Sequence, residues 1–167
     1  MRLFLAFCPD DAVRGRLEEL QSEWKDLAES HKWTAVSNLH MTLVFLGEYP
    51  PESADEVCKA IQTIPVPSFD LHVSHPGMFG KILYAGTEED ERLNEYVLLL
   101  KQALTEAGFT YDPKPFVPHI TMARKAEVEN LPGLCFEAFS FVTDGISLME
   151  SVSTETGVKY NELRRLH

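Results

Sequence analysis

A chain of 167 residues, 44% hydrophobic and 25% charged, fits one domain or two small lobes sharing a core, with a composition ordinary for a soluble globular protein. A net charge of −11, from 26 acidic against 15 basic residues, argues against a long nucleic-acid track, because a polyanion is repelled. A nucleic acid would be gripped at a terminus or as a short piece, and no apolar run approaches the roughly 20 residues of a membrane span. The opening run Arg2-Leu3-Phe4-Leu5-Ala6-Phe7 reads as a strand buried on both faces. It meets Asp10 and Asp11 at once, too short for a signal-peptide core of about 7–15 residues, so a cytoplasmic location is expected. Cys8, Cys58 and Cys135 are scattered and odd in number, which indicates neither a disulfide framework nor a zinc knuckle.

Pro9 and Asp10 start a helix whose apolar face carries Val13, Leu17, Leu20, Trp24 and Leu27, about five turns. Trp33 to Val36 reads as a short strand and His40 to Leu46 as a second, closed by Gly47 to Pro51. Ser53 to Ile64 is predicted helical, with Ser53 as cap and Glu56 completing a capping box. Phe69, Leu71 and Val73 alternate with polar residues as a half-exposed strand. His75 to Gly80 reads as a turn or flexible loop around Pro76 and Gly77. Ile82 to Gly86 is a short buried strand. Leu93, Val97, Leu100 and Leu104 mark a long helix ended by Gly108. His119 to Ala123, Cys135 to Thr143, Ile146 to Ser151 and Val158 to Leu163 read as further strands. Strands interleaved with helices through short connections favour an α+β class with antiparallel sheets.

Two stretches stand out. His40-Met41-Thr42-Leu43 and His119-Ile120-Thr121-Met122 repeat a His-x-Thr-apolar pattern, one in each half of the chain. In a strand, residues i and i+2 share a face, roughly 6.5–7 Å apart, so each segment sets an imidazole beside a hydroxyl. Imidazole titrates near neutrality, at about 6.5, so two facing imidazoles can serve as one base and one acid at the same moment. Cleaving a phosphodiester needs such a pair, one taking a proton from water and the other protonating the departing sugar oxygen. Thr42 and Thr121 are placed as donors to the equatorial phosphoryl oxygens. No metal or other cofactor is required by this scheme.

Other readings fit less well. A zinc site built from His40 and His119 with His72 or His75 lacks a nearby carboxylate. His31 and His167 are surface candidates, no Cys-His nucleophile has a local motif, and there is no Walker loop or GxGxxG after a strand. A single His-x-Thr is common by chance. Two copies inside apolar strands shift the balance to function.

These residues resemble the 2H phosphoesterase superfamily, and within it the RNA 2′,3′-cyclic phosphodiesterase family, also called 2′-5′ RNA ligases. The likeness runs from Arg2–Phe7 through Asn38–Glu48, Gly77–Gly80 and Ile82–Gly86, then Pro115–Arg124 and the closing Leu148, Ser151, Gly157, Tyr160 and Leu163. It implies one bilobal domain over residues 1–167, with two antiparallel sheets lining a central cleft and helices outside. It implies metal-independent hydrolysis of a 2′,3′-cyclic phosphate at an RNA 3′ end, or of a short cyclic-phosphate nucleotide, to a 2′-phosphate. His40 would be the proton donor and His119 the proton acceptor. Thr42 and Thr121 would hold the phosphoryl oxygens, and Arg124 would be a further phosphate contact. Phe79 and Tyr84 are candidates to stack on a base, with buried packing as the competing role. Lys114 stands before Pro115 where the family typically has Arg, and Met122 where Leu is commoner. A monomer, with no membrane partner, is expected. Turnover of 2′-5′ oligonucleotides or ADP-ribose cyclic phosphate, or a non-catalytic module that binds phosphate ends, are the alternatives.

Overall fold

The opening apolar run becomes a central strand, β1 (Arg2–Phe7), in the computed structural model, which describes all 167 residues. It lies between β3 (Met41–Glu48) and β8 (Ile146–Thr154), with β9 (Gly157–Leu166) beyond β8. Both faces of β1 are covered. Leu3, Leu5 and Phe7 enter the main core, while Phe4 and Ala6 join Met149 in a smaller cluster flanked by Phe45 and Tyr160. The second sheet runs in the order β2 (Lys32–Trp33), β6 (His119–Arg124), β5 (Ile82–Thr87), β4 (Asp70–Phe79), β7 (Phe139–Val142). All pairings are antiparallel, giving the α+β class expected.

Three helices cover the sheets: α1 (Asp11–Trp24), α2 (Ser53–Ile61) and α3 (Glu91–Glu106). Asp10 caps α1 by accepting the Val13 N–H at 2.9 Å, and Asp90 caps α3 through the Leu93 N–H at 3.1 Å. Gly108, at φ +87°, supplies the left-handed turn after α3. Although α1 follows β1 in the chain, it packs on the other sheet. Its Gln21 donates to the Met122 carbonyl of β6 at 3.1 Å, its Trp24 to the Leu134 carbonyl at 3.0 Å, and its Arg16 lies over Phe139 of β7. Conversely, Tyr96 of α3 stacks on Phe7 of β1, 6.5 Å between ring centres. One continuous core results, drawing residues from both sheets. No helix is long and apolar enough to cross a membrane.

Several boundaries differ from expectation. α1 ends at Trp24, leaving Leu27 outside it and 58% exposed. Ser53 does not cap α2: Glu52 holds that position without a side-chain bond, Ser53 is buried, and the helix stops at Ile61. The strand at Trp33 is only Lys32–Trp33, followed by a 3-10 turn over Val36–Asn38. A second such turn over Leu131–Leu134 precedes β7, which forms only from Phe139.

The largest correction is at His75 to Gly80, where β4 continues to Phe79 and the turn falls at Gly80. Past Val73 β7 no longer pairs with β4, so Pro76 lies where only β5 needs ladder bonds. Gly77 is there for room: it faces Tyr84, and a Cβ on it would collide with the phenol ring.

Candidate active site

His40 immediately precedes β3 and His119 opens β6. Each ring is set by the same local device. The Nδ1–H of His40 donates to the Asn38 carbonyl at 2.7 Å, and that of His119 to the Val117 carbonyl at 2.6 Å, each two residues back. A carbonyl can only accept, so this bond assigns the proton of the neutral ring to Nδ1 and leaves Nε2 as the nitrogen with the lone pair. The Thr42 hydroxyl donates to Nε2 of His40 at 2.8 Å. No equivalent bond joins Thr121 to His119.

Two aromatic rings steady each imidazole. Phe4 and Tyr160 lie 5.0 Å from His40 between ring centres, and Phe79 and Tyr84 lie 5.0 and 5.3 Å from His119. Asn38 anchors the turn below His40 by donating to the Val158 carbonyl at 2.8 Å and accepting the Tyr160 N–H at 3.2 Å. Arg14 reaches from α1 to the Val36 and Leu39 carbonyls, at 2.8 and 3.2 Å.

Both motif strands then bulge at the same point. Opposite β1, Thr42 and Val44 pair with successive residues, so Leu43 is extra; opposite β5, Thr121 and Ala123 do so, so Met122 is extra. A bulge lets two consecutive side chains face one side. Leu43 with Val44, and Met122 with Ala123, are accordingly buried, and the next residue in each strand is turned back toward the cleft. Those residues are Phe45 and Arg124, which occupy equivalent places.

His40, Thr42, His119, Thr121 and Arg124 line one cleft of about 360 Å³. Arg2, Asn38 and Tyr160 share it, and no Asp or Glu does, on a chain whose net charge is −11. The cleft is thus an island fit for an anion. Burial lowers the pKa of His40 to about 4, helped by the positive potential of His119, Arg124 and Arg14 and opposed by the Asn38 bond. Burial likewise lowers that of His119, with Arg124 adding to it. With no anion beside them, both rings are neutral at pH 7. A bound phosphodiester brings negative charge and favours one imidazolium.

Phe79 and Tyr84 stand outside this cleft, stacked on each other at 4.5 Å against His119; Phe79 is 39% exposed and opens on a neighbouring pocket. His72 and His75 lie on the solvent side of β4, and His72 sits 3.9 Å from Asp70. No group of three or more His, Cys, Asp or Glu side chains is placed to hold a metal ion. The sequence reading missed Arg2, Arg14, Asn38 and Tyr160 as parts of the site. Arg2, Asn38 and Tyr160 fall in the stretches of the family likeness, which is the one signal available for them; Arg14 has none.

The sequence pattern of the LigT like Phosphoesterase family matches twice, over residues 8–88 and 85–160, once in each half. A Thermotoga maritima protein named RNA 2′,3′-cyclic phosphodiesterase is 27% identical over 177 residues, covering 98% of this chain and 93% of that protein. A Geobacillus stearothermophilus protein of the same name is 36% identical over 104 residues, 58% of this chain but only 33% of its own length. Among solved structures, a Thermus thermophilus protein superposes with a TM-score of 0.84 at 25% identity, covering 99% of this chain and 97% of that one.

Proposed function

Because the chain belongs to the LigT-like phosphoesterase family, we propose that it hydrolyses 2′,3′-cyclic phosphates at RNA 3′ ends, or on short nucleotides, to 2′-phosphates. His119 Nε2 takes a proton from water as its oxygen attacks phosphorus. The P–O3′ bond breaks opposite, and His40, protonated on Nε2 when the anion binds, gives that proton to the leaving oxygen. A 2′-phosphomonoester and a free 3′-hydroxyl result, and the two rings exchange protons with solvent before the next turnover. Thr42 and Thr121 donate to the phosphoryl oxygens, Thr42 leaving its resting bond to His40 to do so. Arg124 stabilises the charge that builds there. Nothing in this sequence of steps calls on a metal ion.

The observation that carries the reading is the matched pair of imidazoles, each fixed by a carbonyl two residues back, on a cleft with two arginines and no carboxylate. The deciding experiment incubates the protein, in excess chelator, with an oligonucleotide ending in a 2′,3′-cyclic phosphate. A 2′-phosphate product is expected. A 3′-phosphate would reverse the assignment of the leaving oxygen, and an unchanged substrate would remove the reading altogether.

A further inference from the structure

A second cavity, of about 580 Å³, opens directly beside the cleft and shares Thr42, Phe45 and His119 with it. Its character is different. Where the cleft is polar, this pocket is walled chiefly by Phe45, Phe79, Phe116 and Ile82, and Lys101 and Lys114 bring two cations to it. The one carboxylate present, Asp112, is engaged by the Lys114 N–H at 3.0 Å.

The wall that carries Phe116 is well fixed. The Asp112 N–H donates to the Phe45 carbonyl at 2.8 Å on the open edge of β3, and the Thr110 N–H donates to the Tyr49 hydroxyl at 2.7 Å. This segment also supplies the Val117 carbonyl that orients His119. An occupant would therefore press on the piece of backbone that aims the base.

We infer that this pocket holds the base of the second nucleotide from the RNA end, with Lys101 and Lys114 attracting the phosphodiester that joins it to the terminal one. The inference rests on the cyclic-phosphate reading of the adjoining cleft. Each cavity falls in the size range of a small-molecule site, so the two together have room for two successive nucleosides. Flat aromatic walls with flanking cations suit single-stranded nucleic acid, because every base presents a π-face and stacks without regard to sequence. A polyanion reaching a chain of this net charge also gains from cations placed within a screening length of its path.

The test compares adenosine 2′,3′-cyclic phosphate with a dinucleotide ending in the same group. The wild type is expected to favour the dinucleotide in kcat/KM by about tenfold or more, the size of one base stacked on aromatics. Phe116→Ala should bring that ratio close to one. Lys114→Ala, at an exposed position, should lower it and flatten its salt dependence, and it keeps the test open if Phe116→Ala does not fold. Equal turnover of both substrates by the wild type would overturn the inference. So would a Phe116→Ala loss shared equally by both, which would place the terminal base there instead. Binding of the corresponding mono- and dinucleotide 2′-phosphates separates this question from the chemistry. A dinucleotide advantage in binding without any turnover would keep the pocket and discard the hydrolase. Turnover with no dinucleotide advantage in binding or in rate would do the reverse.

Discussion

The two halves of the cleft are built alike and end differently. His40-Met41-Thr42-Leu43-Val44 and His119-Ile120-Thr121-Met122-Ala123 share a carbonyl lock on Nδ1, a bulge at the fourth residue and a pair of aromatic rings against the imidazole. The following residue is Phe45 in one and Arg124 in the other. His40 is bonded to its threonine and has the pKa depressed to about 4, while His119 has no such bond. A duplicated frame thus holds two chemically distinct imidazoles. What the repeat preserves is aim, and what it varies is the bond to threonine and the charge of the residue that follows the bulge.

Breaking either aim should cost most. His40→Ala and His119→Ala are each expected to lower turnover by about 10²–10⁴ or more, and the double variant by much less than the product. Steady-state rates on one cyclic nucleotide, with circular dichroism to confirm folding, check this. A double variant multiplying both losses would mean the rings act independently.

The unlike ends come next. Arg124→Ala should cost about 10- to 100-fold, as removal of one charged hydrogen bond does, and should raise the pKa of His40 by removing a neighbouring positive charge. Phe45→Ala should leave that pKa in place. Titration of the histidines by NMR in both variants would separate the two sides of the repeat.

A difference in protonation gives the third test. If His40 is the acid, turnover needs a proton that the free protein does not hold at pH 7, so with the pKa of His40 about 4 the value of kcat/KM should fall as pH rises through neutrality. Bound phosphate raises that pKa, so the falling limb of kcat should lie at higher pH. The limbs belong to the pair of rings rather than to one residue. Coincident limbs would show that the anion does not recruit the proton.

Smaller effects test the supports. Asn38→Ala frees the carbonyl turn under His40 from β9 and should lower kcat by about two- to tenfold, the scale of a neutral hydrogen bond. His40 also links stability to acid. Its folded pKa lies below the unfolded value of about 6.5, so the unfolded chain takes the proton first and stability is lost as pH falls from about 6.5 to about 4. His40→Gln should show a shallower decline of Tm over that window.

Strand periodicity made the core of the site legible in the sequence. A period of two puts His40 with Thr42 and His119 with Thr121 whatever the rest of the chain does. The same period misplaces Phe45 and Arg124 relative to them, because the bulges at Leu43 and Met122 appear only when β1 and β5 are paired alongside. Arg14, Asn38 and Tyr160 depend on contacts between distant segments and leave no local pattern. At Pro76 and Gly77 local turn chemistry pointed to a loop, but the pairing of β4 with β5 and the bulk of Tyr84 decided otherwise. The crossing of α1 and α3 onto each other's sheets was likewise outside the reach of periodicity, which records that a helix has an apolar face but not what covers it.

That β1 sits between β3 and β8 has a consequence for how the molecule comes into being. During synthesis the sheet that holds β1 stays half-built, with one side of β1 open, until β8 emerges. Cutting the polypeptide in the connection after α3 would yield two fragments with bare strand edges rather than two separable halves. Catalytic competence would then return only on mixing them.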